Sequence, residues 1–359
     1  MIYLDNAATT RVSEVAAQAG LTMMREEFGN PSALHGLGIR AERAVNEARA
    51  NIARILGADP SELIFTSGGS EGNNTAIFGA AHLKRRRERH IVTTQVEHAS
   101  VLSPLNRLEE EGYEITRLAP GEITPAGVAA VVREDTGLVS IMHVNNETGA
   151  VYPIGEIVRA IHRKNADTLV HTDAVQSFCK LPFDVHKLGV DFATVSGHKV
   201  HAPKGVGALF IRRGVRLPPL ILGGGQERGL RSGTEATPLI CALGTVKPMD
   251  TAELCALRDH LRETLATLSQ VRLLPMGDAP HILSMSIPGT RSEVAMRILE
   301  EEEIYVSAGS ACSRGRRSHV LEAMGIPNED IDCALRVSLS DETTYAELDA
   351  FVQAIQNRF

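Results

Sequence analysis

The first two thirds of the chain alternate between short apolar segments and longer segments with helical periodicity, and this alternation constrains the fold most. It predicts a mainly parallel sheet with helices on both faces. Several apolar segments carry almost no polar residue, as expected where both faces of a sheet are covered. Helical spacing is seen at Ala41, Ala44, Val45, Ala48, Ile52 and Ile55. The predicted strands are 64–66, 91–94, 115–118, 139–143, 169–172, 192–195 and 206–211.

The pattern changes after Gly233, where a helical segment at 235–268 is interrupted by Pro238 and Pro248. Shorter strands and helices follow, which indicates a second, smaller α+β domain. We therefore predict an α/β fold with a large domain at 14–245 and a small domain made of 1–13 and 246–359. The strands of the small domain are predicted at 273, 282–287 and 304–306, and its helices at 294–302 and 344–355.

Charge and hydropathy exclude several classes of protein. The chain has 359 residues, 37 Lys and Arg against 44 Asp and Glu, and a formal net charge of −7. Nucleic-acid-binding proteins normally show a basic surplus on at least one domain, so we expect no direct nucleic-acid partner. No charge-free segment approaches the roughly 18 apolar residues of a membrane span. Because Asp5 also comes too early for a signal peptide, we expect a soluble, cytoplasmic protein with no membrane partner.

The cysteines are few, scattered and odd in number, which fits a reducing compartment rather than a disulfide framework. None of them forms a C-x-x-C pair, so a thiolate zinc site or a thioredoxin-type motif is not expected and no metal is predicted. One of them could still be a reactive thiol. The five cysteines are Cys179, Cys241, Cys255, Cys312 and Cys333.

One segment suits a phosphate group. The chain lacks the G-x-G-x-x-G, Walker and H-E-x-x-H signatures, but IFTSGGSEGNN reads as a strand, a turn and a helix that begins near Ser70 or Glu71. Gly68 and Gly69 allow a tight turn with exposed amides, and the helix start adds a partial positive charge. Taken alone, the segment leaves a simpler interpretation open, in which Ser70 only caps the helix.

Polar residues follow two later predicted strands, with Asp173 and Gln176 after one and Ser196, His198 and Lys199 after the other. Ligands of open α/β sheets bind outside the carboxyl ends of the strands. A lysine that can form a Schiff base and an aspartate that can pair with a pyridinium nitrogen suit a pyridoxal phosphate (PLP) site. Asp173 could instead cap a helix and Lys199 could be an exposed loop lysine. Their recurrence beside a phosphate-binding segment favours the cofactor site.

Nine motifs then follow one another in the order of a single enzyme family. Together they resemble the PLP-dependent cysteine desulfurases, in the NifS/IscS-type branch of the class V aminotransferase-like family. The resemblance spans essentially the whole chain, and it implies the PLP-dependent transferase fold of type I. The motifs are LDNAATT, FGNPSALH, TSGGSEGNN, VEHAS, HVNNETG, HTDAVQS, SGHK, GGGQERGLRSGT and GSACS.

The resemblance implies a role for several residues around the cofactor ring. Lys199 would carry the cofactor as a Schiff base, and Asp173 would keep the pyridine nitrogen protonated. Gln176 would bind the phenolic oxygen, and His98 would stack on the ring and relay protons. From the residues alone, His98 could equally be a helix-capping histidine.

The resemblance also implies how the cofactor phosphate is held. Gly69, Ser70, Ser196 and His198 would contact the phosphate of their own subunit. Thr234 would reach the phosphate of a second, identical subunit. Each active site of the resulting homodimer would then contain residues from both chains.

The substrate carboxylate would contact Asn146, which would also lie against the cofactor, and Arg336. The planar guanidinium can bind both oxygens of a carboxylate. The alternative for Arg336 is a solvated arginine in a strand. That alternative is weak because the surrounding segment LRVSLS is otherwise apolar or small.

Cys312 would accept the sulfur. It lies in a loop of small residues that includes Gly309 and Gly315, which would let it travel between cofactor and acceptor. A free cysteine is more often an inert core residue, but neighbouring cations favour a reactive thiolate. The cations here are Arg314, Arg316 and Arg317.

The implied reaction converts L-cysteine to L-alanine and leaves a persulfide on Cys312. The sulfur would pass to an acceptor protein for iron–sulfur clusters, thio-cofactors or tRNA thiolation. A selenocysteine lyase or another PLP β-lyase of the same fold is the main alternative, and a non-catalytic partner-binding relative is a second one. Ser70 stands where the family commonly has Thr. The chain ends at Phe359 without the long tail that docks a cluster scaffold, which leaves the acceptor open.

Overall fold

A computed structural model shows how the chain folds. Its contacts divide the chain into a larger and a smaller unit. The larger unit comprises Arg11–His143 and Tyr152–Pro248, and the smaller unit comprises Met1–Thr10, Val144–Val151 and Met249–Phe359. The domain limits inferred from the sequence stay a prediction. The structure describes residues 1–84, 88–275, 277–308 and 317–359, so the predicted loop around Cys312 lies outside the described residues.

A seven-stranded, mainly parallel sheet forms the centre of the larger unit, in the order β2-β8-β7-β6-β5-β3-β4. Strands β7, β6, β5, β3 and β4 pair in parallel, whereas β8 pairs antiparallel with both β2 and β7. The predicted fold class is therefore confirmed. The strands are β2 Leu63–Thr66, β3 His90–Thr94, β4 Glu114–Leu118, β5 Thr136–Ser140, β6 Leu169–Asp173, β7 Phe192–Ser196 and β8 Gly207–Ile211.

One predicted strand is wrong in its limits, because β5 begins and ends three residues before 139–143. Gly137 lies inside β5, and glycine suits this position because a Cβ there would come within 2.9 Å of the Glu88 carbonyl oxygen. Beyond the strand the chain still pairs with β6. The amides of Ile141 and His143 donate to the carbonyls of His171 and Asp173.

Helices surround this sheet, and side chains cap several of them. Ser13 caps α1, and the His35 ring caps α2 by accepting the Gly38 amide. Helix α2 ends at Gly57, whose φ of 69° is a left-handed conformation that favours glycine. The helices are α1 Glu14–Arg25, α2 Gly36–Leu56, α3 Gly69–Lys84, α4 Ala99–Glu110, α5 Pro125–Val131, α6 Ile154–Lys164, α7 Val185–Leu188 and α8 Thr237–Leu243.

The smaller unit has its own apolar core. Helix α9 contributes leucines at the three- and four-residue spacing of one helix face: Leu254, Leu257, Leu261 and Leu265. Strands β9, β10 and β12 form an antiparallel sheet, and β1 pairs in parallel with β11. The elements are β1 Ile2–Tyr3, α9 Thr251–Leu265, β9 Arg272–Leu273, β10 Ile282–Ser286, α10 Ser292–Glu300, β11 Ile304–Tyr305, α11 His319–Ala323, α12 Asn328–Asp332, β12 Ala334–Ser338 and α13 Tyr345–Arg358.

These limits agree with the strands predicted near 273, 282–287 and 304–306 and with the two predicted helices to within three residues at each end. Across the described ranges, no helix is both long enough and apolar enough to cross a bilayer.

Candidate active site

The carboxyl ends of four strands of the large sheet form one edge of the larger unit. Asp173 ends β6 and lies opposite Thr194 of the neighbouring β7, which ends at Ser196. Gly207 lies opposite both Ser196 and Thr66, so the ends of β7 and β2 meet at this edge. Because β3 runs parallel to β5 and β6, its carboxyl end faces the same way. Apart from Thr234, the sequence-predicted residues of the larger unit end or follow these strands.

Asp173 is held by two hydrogen-bond donors. It is 6% exposed, and its Oδ1 accepts the Val175 amide at 2.9 Å while its Oδ2 accepts the Asn73 side-chain amide at 2.7 Å. The chain continues from Asp173 through turns rather than a helix, so the helix-capping alternative is wrong. Donors to a carboxylate favour its ionised form, which suits a partner for a cationic ring nitrogen.

Lys199 lies half-buried in the short 3-10 turn Gly197–Lys199 directly after β7, together with His198. Burial, followed by the charges of Lys199, Lys204 and Lys180, lowers the pKa of His198 to about 4. His198 is therefore neutral at pH 7, and the lysine charges favour an anion beside it.

A second lysine, which the sequence analysis missed, lies close to the same turns. Lys180 is 1% exposed, and its Nζ donates to Oε1 of Gln176 at 3.3 Å. Gln176 is itself buried. The signal in the sequence was a lysine four residues after Gln176 in an otherwise small or apolar stretch. Lys180 is thus a second buried lysine that could compete with Lys199 for a carbonyl cofactor.

The turn before α3 has the geometry of an anion cradle. Gly68 has a φ of +148°, which L side chains rarely adopt, and a Cβ on Gly69 would come within 2.9 Å of Val175. A Cβ at Gly68 would lie 3.6 Å from the Ser196 hydroxyl, so Ser196 borders the cradle. Helix α3 begins at Gly69, and its first amides have no partner within the helix. Ser70 therefore lies inside the first turn and is not the cap.

Two ion pairs hold the Gly-rich segment 223–234. Arg231 of this segment pairs with Glu71 in the first turn of α3 at 2.9 Å. Glu227 makes a buried, two-pronged pair with Arg49 of α2, at 2.7 and 2.8 Å. Thr234 lies at the end of this segment and is exposed.

His98 caps α4, as one of the two interpretations of the sequence expected. Its Nδ1 accepts the Ser100 amide at 3.2 Å and lies 2.8 Å from the Ser100 hydroxyl. The cap fixes the ring just beyond β3. Its stacking on a cofactor stays a prediction.

Glu97, next to His98, is a buried carboxyl that sequence reasoning missed. It is fully buried, and its Oε1 accepts the Met142 amide at 3.0 Å and the Thr94 hydroxyl at 2.9 Å. Burial raises the pKa of Glu97 to about 8 against these two hydrogen bonds, and the charge of Asp173 adds to the rise. Glu97 is therefore mostly neutral at pH 7.

In the smaller unit, the structure brings Arg336 and Asn146 together. Arg336 lies in the middle of β12 with 2% of its side chain exposed, so the solvated-arginine alternative is wrong. Its Nη1 donates to the Asn146 carbonyl at 2.9 Å, and its Nη2 pairs with Asp5 at 2.8 Å. Its buried Nε has no hydrogen-bond partner among the described residues. The protein therefore orients the guanidinium, and its Nε–H group is available to donate to a ligand.

Cys312, Arg314 and Arg316 lie outside the described residues. Arg317 is described, and it makes a two-pronged ion pair with Asp332 at 2.7 and 2.8 Å. The prediction that Arg317 serves as a cation for Cys312 is weakened, because Asp332 already balances its charge.

The comparisons with known proteins agree with this geometry. Residues 2–351 match the family model described as "Aminotransferase class-V". "Cysteine desulfurase 2" of Trichormus variabilis is 42% identical over 98% of this chain and 92% of its own length. A solved "NifS-like protein" is 38% identical with a TM-score of 0.92, covering 99% of this chain and 98% of that one. The structure "SspA in complex with cysteine" is 35% identical with a TM-score of 0.84, covering 96% and 100%.

The fold, together with Asp173 and Lys199 at the carboxyl ends of β6 and β7, thus defines a PLP-dependent enzyme. The chain belongs to the class V aminotransferase family. Within that family it is a cysteine desulfurase of the NifS/IscS type.

Proposed function

We propose that this chain catalyses the cysteine desulfurase reaction with Lys199, Asp173 and His98 around PLP, Arg336 at the substrate carboxylate and Cys312 as the sulfur acceptor. The observation that carries the proposal is the edge where β6 ends at Asp173 and β7 is followed by Lys199. A lysine follows β7, a carboxylate that accepts two hydrogen bonds ends the neighbouring β6, and the glycine cradle follows β2 at the same edge.

The residues at this edge fit PLP in kind. Bound there, the cofactor would act as an electron sink for bonds at the substrate α-carbon. Asp173 would hold the ring nitrogen, and the cradle of Gly68, Gly69 and the α3 amides would hold the phosphate. Lys199 would bind the cofactor carbonyl and then move a proton at the substrate, with its Nζ as base and acid.

Arg336 supports a carboxylate site because its orientation is fixed before substrate arrives. Asp5 and the Asn146 carbonyl hold the two η nitrogens. A substrate carboxylate would share the guanidinium with Asp5 and accept from the remaining N–H groups. Pre-ordering of this kind lowers the entropic cost of binding.

Cys312 would complete the reaction as a nucleophile. Its thiolate would attack the sulfur of the bound substrate, so that an S–S bond forms while the C–S bond breaks. The electron pair of the C–S bond stays with the substrate carbon, which is protonated and leaves as alanine. The sulfur stays on Cys312 as a persulfide, so no external oxidant is needed.

We also propose a cytoplasmic homodimer that hands its sulfur to an acceptor protein for iron–sulfur clusters or thiolation. Several large apolar side chains of the larger unit are exposed in the single chain, among them Leu34 at 95% and Leu222 at 79%. Leu222 directly precedes the Gly-rich segment that carries Thr234. Exposed apolar residues beside that segment support an interface there.

Borohydride reduction tests the cofactor assignment. The purified protein should be yellow, and reduction should bleach the visible band and fix the cofactor to one lysine. Peptide mapping should find it on Lys199. Cofactor on Lys180, the buried lysine beside Gln176, would overturn the assignment.

A further inference from the structure

Asn73 of α3 connects two of the proposed cofactor residues. It is fully buried, and its Nδ2 lies 2.7 Å from Oδ2 of Asp173 and 2.9 Å from Oγ of Ser100. The Ser100 hydroxyl in turn lies 2.8 Å from Nδ1 of His98. One buried amide therefore reaches Asp173 directly and His98 through a single hydroxyl.

The donors in this chain set the direction of each bond. The Asn73 amide nitrogen has two hydrogens and donates one to Asp173 and one to Ser100. The Ser100 O–H can then donate to Nδ1 of His98, which also accepts the Ser100 amide at 3.2 Å. With Nδ1 accepting both bonds, the proton of the neutral imidazole lies on Nε2.

Stability alone does not explain an asparagine at this position. Its Oδ1 is buried without a hydrogen-bond partner among the residues the structure describes, and a buried, unsatisfied polar atom destabilises a fold. Leucine has the same branched shape and number of heavy atoms and a higher helix propensity. A residue that leaves its own oxygen unsatisfied while its nitrogen donates to a functional carboxylate fits a positioning role.

We propose that Asn73 is a positioning residue that holds Asp173 ionised and aimed and, through Ser100, fixes the tautomer of His98. This inference rests on the proposed function, since it gives Asn73 a role only toward bound PLP. A hydrogen bond donated to Asp173 favours its ionised form over its protonated form. The proton between Asp173 and the ring nitrogen of bound PLP would therefore stay on the nitrogen. Val175 supplies the second donor, and Glu97 is the other carboxyl that acts on Asp173.

The test uses apo-protein reloaded with PLP that carries ¹⁵N at the ring nitrogen. In Asn73→Leu, the affinity for PLP should fall about tenfold, the effect of losing one hydrogen bond to a charged group. The ¹⁵N resonance should move toward that of an unprotonated pyridine. The apo-protein should still melt cooperatively, which checks that the variant folds, at a temperature no higher than that of wild type because Asp173 has lost a buried donor.

Asn74→Leu is the matched control. Its amide donates to the backbone carbonyls of Ser70 and Ser100 rather than to Asp173, so the PLP affinity should stay within about twofold. Asn73→Asp keeps the size of the side chain and places a second carboxylate against Asp173. It should weaken PLP binding more than Asn73→Leu, and it serves as the test if the leucine variant does not fold.

Wild-type affinity and an unchanged ¹⁵N resonance in the folded Asn73 variants would overturn the inference. A wild-type protein that binds no PLP would instead contradict the proposed function. The two failures are therefore distinguishable.

Discussion

Two regions of the molecule are proposed to bind anions, and they are built differently. The phosphate region of the larger unit consists of the Gly68–Gly69 turn, the first amides of α3 and the lysines around His198. The carboxylate region of the smaller unit depends on one side chain, Arg336, which Asp5 and the Asn146 carbonyl hold in place.

The difference predicts how much anion binding each region loses when a single side chain is removed. Binding spread over backbone amides and several lysines loses little when one side chain is removed. Binding through a single buried guanidinium loses most of its energy when that group is removed, and the ion pair with Asp5 is lost as well.

The largest expected effect is that of Lys199→Ala, which should greatly lower the reaction rate but leave PLP binding in the phosphate region. Lys199→Ala should lower the rate of alanine formation by about 100- to 10,000-fold, the range for loss of a general acid–base. It should still bind PLP, now non-covalently, because the cradle is intact. Spectral titration with PLP and an alanine assay measure the two effects, with the exposed Lys187→Ala as control. Complete loss of PLP binding would show that the phosphate region depends on one residue after all.

Arg336→Ala should raise the Michaelis constant for cysteine about tenfold or more, since a hydrogen bond to a charged group contributes about 1.5–3 kcal/mol. PLP affinity should not change. Steady-state kinetics over a range of cysteine concentrations measure the effect. In the companion Asp5→Asn, the amide oxygen can still accept the hydrogen bond that orients Arg336, whereas the competing negative charge is gone, so cysteine should bind at least as tightly as in wild type. An unchanged Michaelis constant in Arg336→Ala would place the carboxylate elsewhere.

Glu97 should make stability fall as pH rises. Its pKa is about 8 in the folded chain and near 4.5 when unfolded, so between these values only the folded state keeps the proton. Stability is then lost from about pH 4.5 to about pH 8. In Glu97→Gln, whose amide oxygen can accept the same two hydrogen bonds, the melting temperature should fall less over this window. Parallel melting curves against pH would contradict the buried, protonated carboxyl.

The smallest effect should be that of Arg317 on Cys312. Because Asp332 balances the charge of Arg317, Arg317→Ala should change the alkylation rate of Cys312 by less than about twofold. Iodoacetamide kinetics with the other cysteines mapped separately measure it. A several-fold slower alkylation of Cys312 in this variant would show that Arg317 does favour the thiolate, as the sequence predicted.

The sequence predicted the residues whose position follows from strand order. Asp173 and Lys199 could be placed together because the carboxyl ends of neighbouring parallel strands meet at one edge. The limits of β5 were missed because the apolar stretch continues past the strand, where Ile141 and His143 still donate hydrogen bonds to β6.

Residues whose role depends on tertiary contacts could not be predicted in this way. Asn73 lies in a helix and meets Asp173, 100 positions later in the chain, only after folding. Glu97 and Lys180 look like ordinary charged residues in the sequence, and their burial alone makes them unusual. The residues next to Glu97 and Lys180 in the sequence do not show that these two side chains become buried.

The proposed reaction depends most directly on Cys312 as the sulfur acceptor. The decisive measurement is single-turnover reaction of Cys312→Ser with L-cysteine, following alanine and protein-bound persulfide together. The variant should bind PLP and cysteine as wild type does, yet form neither product, because no thiolate is present to take the sulfur. Alanine formation at the wild-type rate would contradict the account and favour a β-lyase or selenocysteine lyase mechanism.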